Sequence, residues 1–420
     1  MNRLSKYSLG IGDRFALQGD FQLEAILAAY SMGREITPVW NKSFREHKTV
    51  GSEPLEVRKE ADLAVKELGW QRAYFVDADH IREDTVEEFI ACSDFFTIDV
   101  ADKIGIAVDQ KDVEDFLSNH DQLIGDLFIK GIQEPFILSR QVITGILNKF
   151  YQAAKEAGRI YRKIKKAKKD KYFAIEVSMD EVDEAQTPEE LFFILLLLAE
   201  NEVPLNTIAP KFTGEFLKGV DYLGVIDEFG REFEKDLLVI KHAIGAFGFP
   251  SDLKLSIHTG SDKFSLYPEI NKIIKRHDAG IHLKTAGTTW LEELVGIAET
   301  GGTGLALAKS IYFEAVVRFD ELITPYGSVV QIDRTKLPSG NEVKSWDSSK
   351  FCNAINHNQT NINYNPNMRQ LLHTAYKIAA EKKEIFRNEI RSHRELIGGK
   401  VKSNLLNKHM VPLFINEHGI

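Results

Sequence analysis

Apolar and polar positions along the 420-residue chain alternate between two periods in a regular order. Short runs rich in β-branched and aromatic residues read as buried strands. Between them lie longer stretches whose apolar residues recur every three to four positions, as on one face of a helix. An extended run at Ser8-Leu9-Gly10-Ile11-Gly12 is followed by a helix expected from about Phe21 to Met32, with Leu23, Ile26, Leu27 and Tyr30 on one face. Ile36-Thr37-Pro38-Val39-Trp40 precedes a helix over Pro54 to Leu68. The run from Ala73 to Ile81 precedes a helix around Val86 to Ala91, and Phe95 to Val100 is the fourth run. The alternation resumes at Tyr172 to Val177. Its helix opens on Thr187-Pro188-Glu189-Glu190, with a capping hydroxyl, proline at the first helical position and acids in the first turn. Thr207-Ile208-Ala209-Pro210 with a helix over Phe229 to Phe247, then Leu255 to His258 and Ile281 to Lys284 with helices at Tyr267 to Arg276 and Trp290 to Glu299, complete the set. Eight strand–helix units predict an α/β fold, a (β/α)8 TIM barrel over residues 1–310.

Two regions depart from this rhythm. Residues from about 108 to 169 read as a helical insertion ending in the basic segment Arg159 to Lys169. That segment reads as a solvated helix face rather than a phosphate or RNA contact, because few aromatic residues interleave it and the whole chain is acidic. Residues 311–420 read as a C-terminal helical extension packed on the barrel or over its mouth. There a polar tract, Asn353 to Asn367, leads into a helix over Met368 to Phe386.

The formal net charge is −9, from 53 basic and 62 acidic residues, which argues against nucleic acid or an anionic membrane as partner. The longest apolar run, Leu191 to Ala199, is far short of the ~20 residues that span a bilayer. The opening Met1-Asn2-Arg3-Leu4-Ser5-Lys6 has no apolar core of a signal peptide. Two cysteines, Cys92 and Cys352, form no disulfide framework, as suits a reducing compartment. The expectation is a soluble cytoplasmic protein acting on a small molecule, with the oligomeric state, a homo-oligomer included, left open.

Chemistry concentrates where the strand runs end. Ala73 to Ile81 stops on Asp77-Ala78-Asp79-His80, where an acid and an imidazole sit side by side. Polar groups at the carboxyl ends of parallel strands are how such a barrel builds an active site. His80 could hold a metal ion while Asp79 reaches a substrate hydroxyl, or both could simply be satisfied polar residues. His258-Thr259-Gly260-Ser261 offers backbone amides and hydroxyls to a ligand, or a tight turn. Lys284-Thr285-Ala286-Gly287-Thr288-Thr289-Trp290 enters a helix whose exposed amides suit an anion, or are capped by Thr288 or Thr289. Asp13-Arg14 could supply a carboxylate-binding guanidinium or a structural ion pair. Glu176 and the acids Asp180, Glu181, Asp183 and Glu184 lie at and after the fifth run, where a crowded carboxylate can shuttle a proton.

In this order the motifs resemble the class II, metal-dependent aldolase superfamily. Members have an Asp-His pair, an Ile-Glu strand with an acidic loop, a His-Gly-Ser-type turn and an Asn-x-Asp-Thr-like segment at successive barrel strands. The matching residues here are Asp79-His80, Ile175-Glu176 through Glu184, His258 to Ser261 and Leu283 to Thr288. Two departures stand out. The segment Ala209 to Glu215 has no histidine where the aldolases place a further metal ligand, and spacing back from His258 points to Asp221 or Asp227 instead. Leu283-Lys284-Thr285 replaces the phosphate-binding segment.

With Gly10 to Phe15, Lys211, Lys284 and the C-terminal extension, the whole chain more closely resembles the tagaturonate epimerase family. The resemblance implies a divalent-metal-dependent isomerase that interconverts D-tagaturonate and D-fructuronate by retro-aldol cleavage and re-addition. His80 and His258 would be metal ligands, and Asp79 would exchange a proton with the substrate, with Glu184 as its counterpart. Arg14, Glu176, Lys211, Ser261, Lys284 and Thr285 would bind the sugar acid. Imidazole with carboxylate suits zinc, nickel, manganese or iron. The alternatives are a class II ketose aldolase that releases its fragments, and a non-catalytic aldolase accessory subunit.

Overall fold

A computed structural model describes residues 3–180, 182–285 and 287–415, so Glu181 of the acidic cluster and Ala286 of the last turn lie outside the described residues. The strands are β1 (Tyr7–Ile11), β2 (Ile36–Ser43), β3 (Phe75–Ile81), β4 (Phe95–Asp99), β5 (Gly125–Leu127), β6 (Phe136–Leu138), β7 (Ala174–Ser178), β8 (Thr207–Ala209), β9 (Lys254–His258) and β10 (Ile281–Lys284). All except β5 and β6 close into one barrel in the order β1-β10-β9-β8-β7-β4-β3-β2. Every neighbouring pair in it is parallel. The eight barrel strands are the eight apolar runs of the sequence, and the fold is the expected (β/α)8 barrel.

Alternation along the strands divides them between two environments. Leu9, Ile11, Val76, Ala78, Ile98, Val177, Ile208, Ile257 and Leu283 are buried in the core shared with the surrounding helices. A separate small cluster, Leu4, Val39, Phe75, Phe95 and Ala174, involves the first residues of β3, β4 and β7. The helix Pro188–Glu200 shows why the ring holds. Thr187 and Glu190 form the capping box that the sequence predicts, and Leu191 through Leu198 are all buried. Each such side chain contributes about 1.5–3 kcal/mol on burial.

Three segments differ from expectation. A seven-residue helix, Phe44–Val50, follows β2 directly, between a Ser43–Glu46 capping box and a left-handed Gly51. It is too short to show two helical periods in sequence. The insertion expected to be helical throughout 108–169 contains a helix, Gln110–Asn119, and then the antiparallel hairpin β5–β6. The 29-residue helix Arg140–Lys168 that follows packs against Pro188–Glu200 and belongs to the ring. Its basic face pairs with nearby acids, Arg159 with Glu156 and Lys163 with Glu83 and Glu87.

The extension expected over 311–420 divides. Helices from Gly302–Val317 to Glu384–Ser392 build a second core with Trp290, Leu291 and Leu294 of the helix after β10, Gly287–Glu299. The final π-helical segment, Asn404–Ile415, returns to the barrel and packs between Gly19–Ser31 and Tyr267–Arg276. It fills the ring position that the helix after β10 leaves vacant. Among the described residues no helix is long and apolar enough to cross a membrane.

Candidate active site and metal centre

Lys284 ends β10 and reaches into the barrel. Its Nζ lies 2.8 Å from Asp77, 3.0 Å from Asp79 and 2.9 Å from Glu176, and it also donates to the Thr97 hydroxyl. Because β10 adjoins only β1 and β9, contacts to β3, β4 and β7 must cross the barrel interior. Gly10 on β1 makes room for this, since a Cβ there would come within 2.8 Å of Lys284 Cγ. Thr97 donates to Asp77, 2.9 Å from Oδ2, and Thr207 donates to Glu176 Oε2 at 2.7 Å.

Burial works against every charge in this cluster, and the pairing decides which survive. It opposes the Lys284 ammonium, but Asp77, Asp79 and Glu176 together raise that pKa well above the ordinary lysine value. Burial likewise works against the Asp79 and Glu176 carboxylates. Lys284 with His80 holds the first below its usual range, and Lys284 with His258 does the same for the second. Asp77, crowded by Asp79 and Glu176, is instead pushed up to about 6 by burial.

His80 owes its direction to an irregular backbone. The β3–β4 register shifts between Ala78 and Ile81, and His80 adopts φ +51°, a left-handed conformation rare for residues other than glycine. Such strain costs about 1–3 kcal/mol and is concentrated at functional sites. His80 Nδ1 donates to Asp79 Oδ1 at 2.8 Å, and its ring centroid lies 5.2 Å from that of His258. His258 ends β9 and donates from Nε2 to Glu176 Oε1 at 2.8 Å. A carboxylate only accepts, so these partners place a proton on His80 Nδ1 and on His258 Nε2, and in the neutral rings the lone pairs lie on His80 Nε2 and His258 Nδ1. Both face Asp180, at 3.6 Å and 3.2 Å respectively.

One ligand atom each from His80, Asp180 and His258 lies within 4.8 Å of the others. His258 Nδ1 is buried without a hydrogen bond of good geometry among the described residues. The charges also fit a divalent cation. Four carboxylates, Asp77, Asp79, Glu176 and Asp180, against one ammonium, Lys284, leave an excess of negative charge at neutral pH. Protons on the two imidazoles offset most of it, and so does one divalent ion. Against burial, the acids around them raise the pKa of both histidines, which is the proton-loaded alternative. The group opens into a cavity of about 370 Å³ lined also by Arg14, Asn41, Glu46, Lys218, Tyr326, His373 and Tyr376.

Residues 1–411 match the family described as UxaE, tagaturonate epimerase. The chain belongs to the tagaturonate epimerase family. It is thereby an isomerase, an epimerase, rather than an aldolase or an accessory subunit. A tagaturonate/fructuronate epimerase of Thermotoga maritima is 26% identical over 396 residues, covering 90% of this chain and 75% of that protein. The glycerol-bound crystal structure of fructuronate-tagaturonate epimerase UxaE from Cohnella laeviribosi superposes with a TM-score of 0.82 at 24% identity, over 98% of this chain and 82% of that one. The native crystal structure of the same enzyme gives 0.81 at 24% identity. Both share the fold.

Within this family member the expected residues separate into two groups. Arg14, Asp79, His80, His258 and Lys284 line the one cavity, and Glu176 lies beneath it, fully buried against His258 and Lys284. The others are elsewhere. Asp221 accepts from the Ser265 hydroxyl at 2.9 Å and from the Tyr222 amide at 2.8 Å, and Asp227 is exposed in the first turn of the helix Ile226–Phe247. Asp180 occupies the third position beside the histidines, because it follows the end of β7 at the mouth, whereas Asp221 is taken up by Ser265 in the turn after β9 and Asp227 lies on a helix. The Glu184 side chain is 83% exposed, on the surface beside Lys149. The Lys211 amide donates to Gln186 Oε1 and its carbonyl accepts from the Gln186 amide, Ser261 accepts from the Gly219 amide, and Thr285 faces Thr288 and His409. These three hold loops rather than line the cavity.

Sequence reasoning passed over His373, Tyr376 and Tyr326. Only folding brings them over the barrel mouth, and on the chain they look like ordinary helix and loop residues. Asp180 stood in the acidic cluster without a feature to single it out.

Proposed function

We propose that this chain interconverts tagaturonate and fructuronate by opening and re-forming a carbon–carbon bond, with a divalent cation held by His80, Asp180 and His258. One observation carries the reading: two imidazoles and a carboxylate from three different strand ends converge, each ring braced from behind by its own acid. The two sugar acids differ at the carbon two bonds from the ketone, where removing a proton next to the carbonyl does nothing. Loss of the hydroxyl proton and cleavage of the bond from that carbon to the one next to the ketone turn the stereocentre into a flat aldehyde and leave the bonding pair in the enolate of the other fragment, and re-addition to the aldehyde's other face gives the epimer.

When bound, a divalent ion is a Lewis acid that draws electron density from the ketone. The chain supplies the rest. Asp79 lines the cavity beside that position and is assigned the proton exchanged with the hydroxyl that becomes the aldehyde oxygen. Lys284 keeps Asp79 ionised and neutralises charge that builds beside it. Arg14 is buried, bound through Nε to Glu46 at 2.9 Å and stacked 4.2 Å from the Tyr376 ring, while its Nη1 makes no hydrogen bond among the described residues. A guanidinium so held is ready to receive the substrate carboxylate. The ~370 Å³ space suits one sugar acid and leaves little bulk water around the fragments. Two buried free thiols, Cys92 and Cys352, are consistent with the cytoplasm as the working compartment.

Incubation with tagaturonate and divalent ions in heavy water tests the reaction. Fructuronate should form with no solvent deuterium at the inverted carbon, and chelation should stop it reversibly. Deuterium at that carbon excludes bond cleavage, and a trapped free aldehyde at the turnover rate marks an aldolase. Asp79→Asn should keep the metal and lose turnover by roughly 10²-fold or more; full activity would remove this carboxylate from the proton transfer.

A further inference from the structure

The region that folds over the barrel contributes one side chain to the cavity wall that has nothing to bind. His373, in the helix Pro366–Thr374, is 1% exposed, and neither ring nitrogen makes a hydrogen bond among the described residues. A buried polar group left without a partner is destabilising. A ligand with polar atoms in the cavity removes that penalty.

The surroundings select the ligand's charge. Burial first, and then the cations Arg14, Lys218, Arg369 and Lys263, push the His373 pKa well below the ordinary histidine value. The ring is therefore neutral and offers one N–H donor. Arg14 Nη1, on the same cavity, is also without a partner. A Cβ at Gly287 would come within 2.7 Å of His373 Nε2, and one at Gly260, where φ is +64°, within 2.7 Å of Lys218 Nζ. The imidazole thus lies against the first residue of the 13-residue helix Gly287–Glu299, whose N-terminal amides and dipole favour an anion. The two unpartnered donors, the lysine and the helix end make a wall complementary to a carboxylate.

We propose that His373 determines specificity for sugar acids, donating an N–H hydrogen bond to the substrate carboxylate beside Arg14. The proposal rests on the reading of this cavity as the hexuronate site. It gives the C-terminal region a direct part in recognition, whereas the barrel supplies the reacting groups.

The test uses the full chain with added divalent ion and two ligands. These are tagaturonate and tagatose, the neutral ketose that carries a hydroxymethyl group in place of the carboxylate. His373→Leu keeps the bulk and removes both nitrogens, with His373→Met as a second such variant should the leucine chain not fold. His373→Asn restores a neutral donor. The leucine variant is expected to raise the calorimetric Kd and the KM for tagaturonate about tenfold or more. Its kcat should stay within about threefold and its tagatose binding should not change, and the asparagine variant should recover most of the loss. Equal losses for both sugars, a fall in kcat alone, or unchanged affinity for the acid in a folded variant would overturn the role. Wild-type protein that binds the acid without epimerising it would sink the reaction instead, and calorimetry would still decide His373.

Discussion

Four residues apart, at the end of β9 and on the turn after it, His258 and Asp262 each anchor a cluster of histidines and acids, and the two clusters do opposite things. Around Asp262 both carboxylate oxygens are matched. Arg369 donates to Oδ2 at 2.6 Å, His357 to the same oxygen at 3.1 Å, and Thr288 to Oδ1 at 2.7 Å, with His409 at 3.5 Å. Asp262, Arg369 and His409 are fully buried, and they tie the β9 turn to the second core and to the final helical segment. Around His258 and His80 the acids sit behind the rings, and the remaining nitrogens are left facing Asp180 across a gap. Similar residue types thus build a staple where donors surround both oxygens of a carboxylate, and a candidate reaction centre where ring nitrogens converge on one acid.

The comparison breaks most sharply at His258. His258→Ala should abolish retention of a divalent ion, measured by metal analysis after gel filtration, and lower turnover by roughly 10⁴-fold or more. Its thermal midpoint without metal should stay close to that of the parent chain. Retained stoichiometric metal would show that the convergent group is not the metal site.

Next in size, Arg369→Met leaves the Asp262 charge buried with too few donors. Such a loss costs about 3–5 kcal/mol, to be read from denaturant unfolding, while metal stoichiometry of the folded fraction should be unchanged. Destabilisation below about 1 kcal/mol would show that the cluster is not the staple described.

Another buried histidine, His282, separates the effect of burial from that of pairing. His282 shares Nδ1 with the Ser8 hydroxyl at 2.8 Å, and burial, followed by the nearby Lys284 and Lys254, pushes its pKa down to about 3. The folded chain therefore refuses a proton that the unfolded chain accepts below about pH 6.5. Stability contributed by the neutral ring is complete above that pH and is lost as pH falls toward 3. The slope is at most about 1.4 kcal/mol per pH unit. His282→Asn should flatten that part of the stability–pH curve; an unaltered slope would assign the acid loss to other groups. The smallest effect belongs to Glu184, a surface carboxylate 3.3 Å from Lys149. Glu184→Gln should change kcat/KM by less than about twofold and stability by under 1 kcal/mol; a large fall in kcat would restore it to the reaction.

The barrel was legible because its periodicity is local: each strand and each amphipathic helix carries its own apolar pattern, and eight such pairs admit few arrangements. Asp79, His80, His258 and Lys284 were legible for the same reason, since parallel strands deliver the residues at their carboxyl ends to one mouth. The third ligand-type residue was not. Asp180 differs from Asp183 and Glu184 only in how the chain turns after Ser178, whose hydroxyl donates to Asp180. Nor could the pattern show that a bulge at His80 swings its ring toward His258, or that Arg140–Lys168 belongs to the ring.

What the sequence determined alone is the set of elements, their order and the polar residues at their ends. Only the tertiary structure decided that Asn404–Ile415 closes the ring and that His373, Tyr326 and Tyr376 overhang the mouth. Helix periodicity says which face of an element is apolar but not which of several apolar surfaces it will cover. That choice is made by the sum of many contacts between residues far apart in the chain.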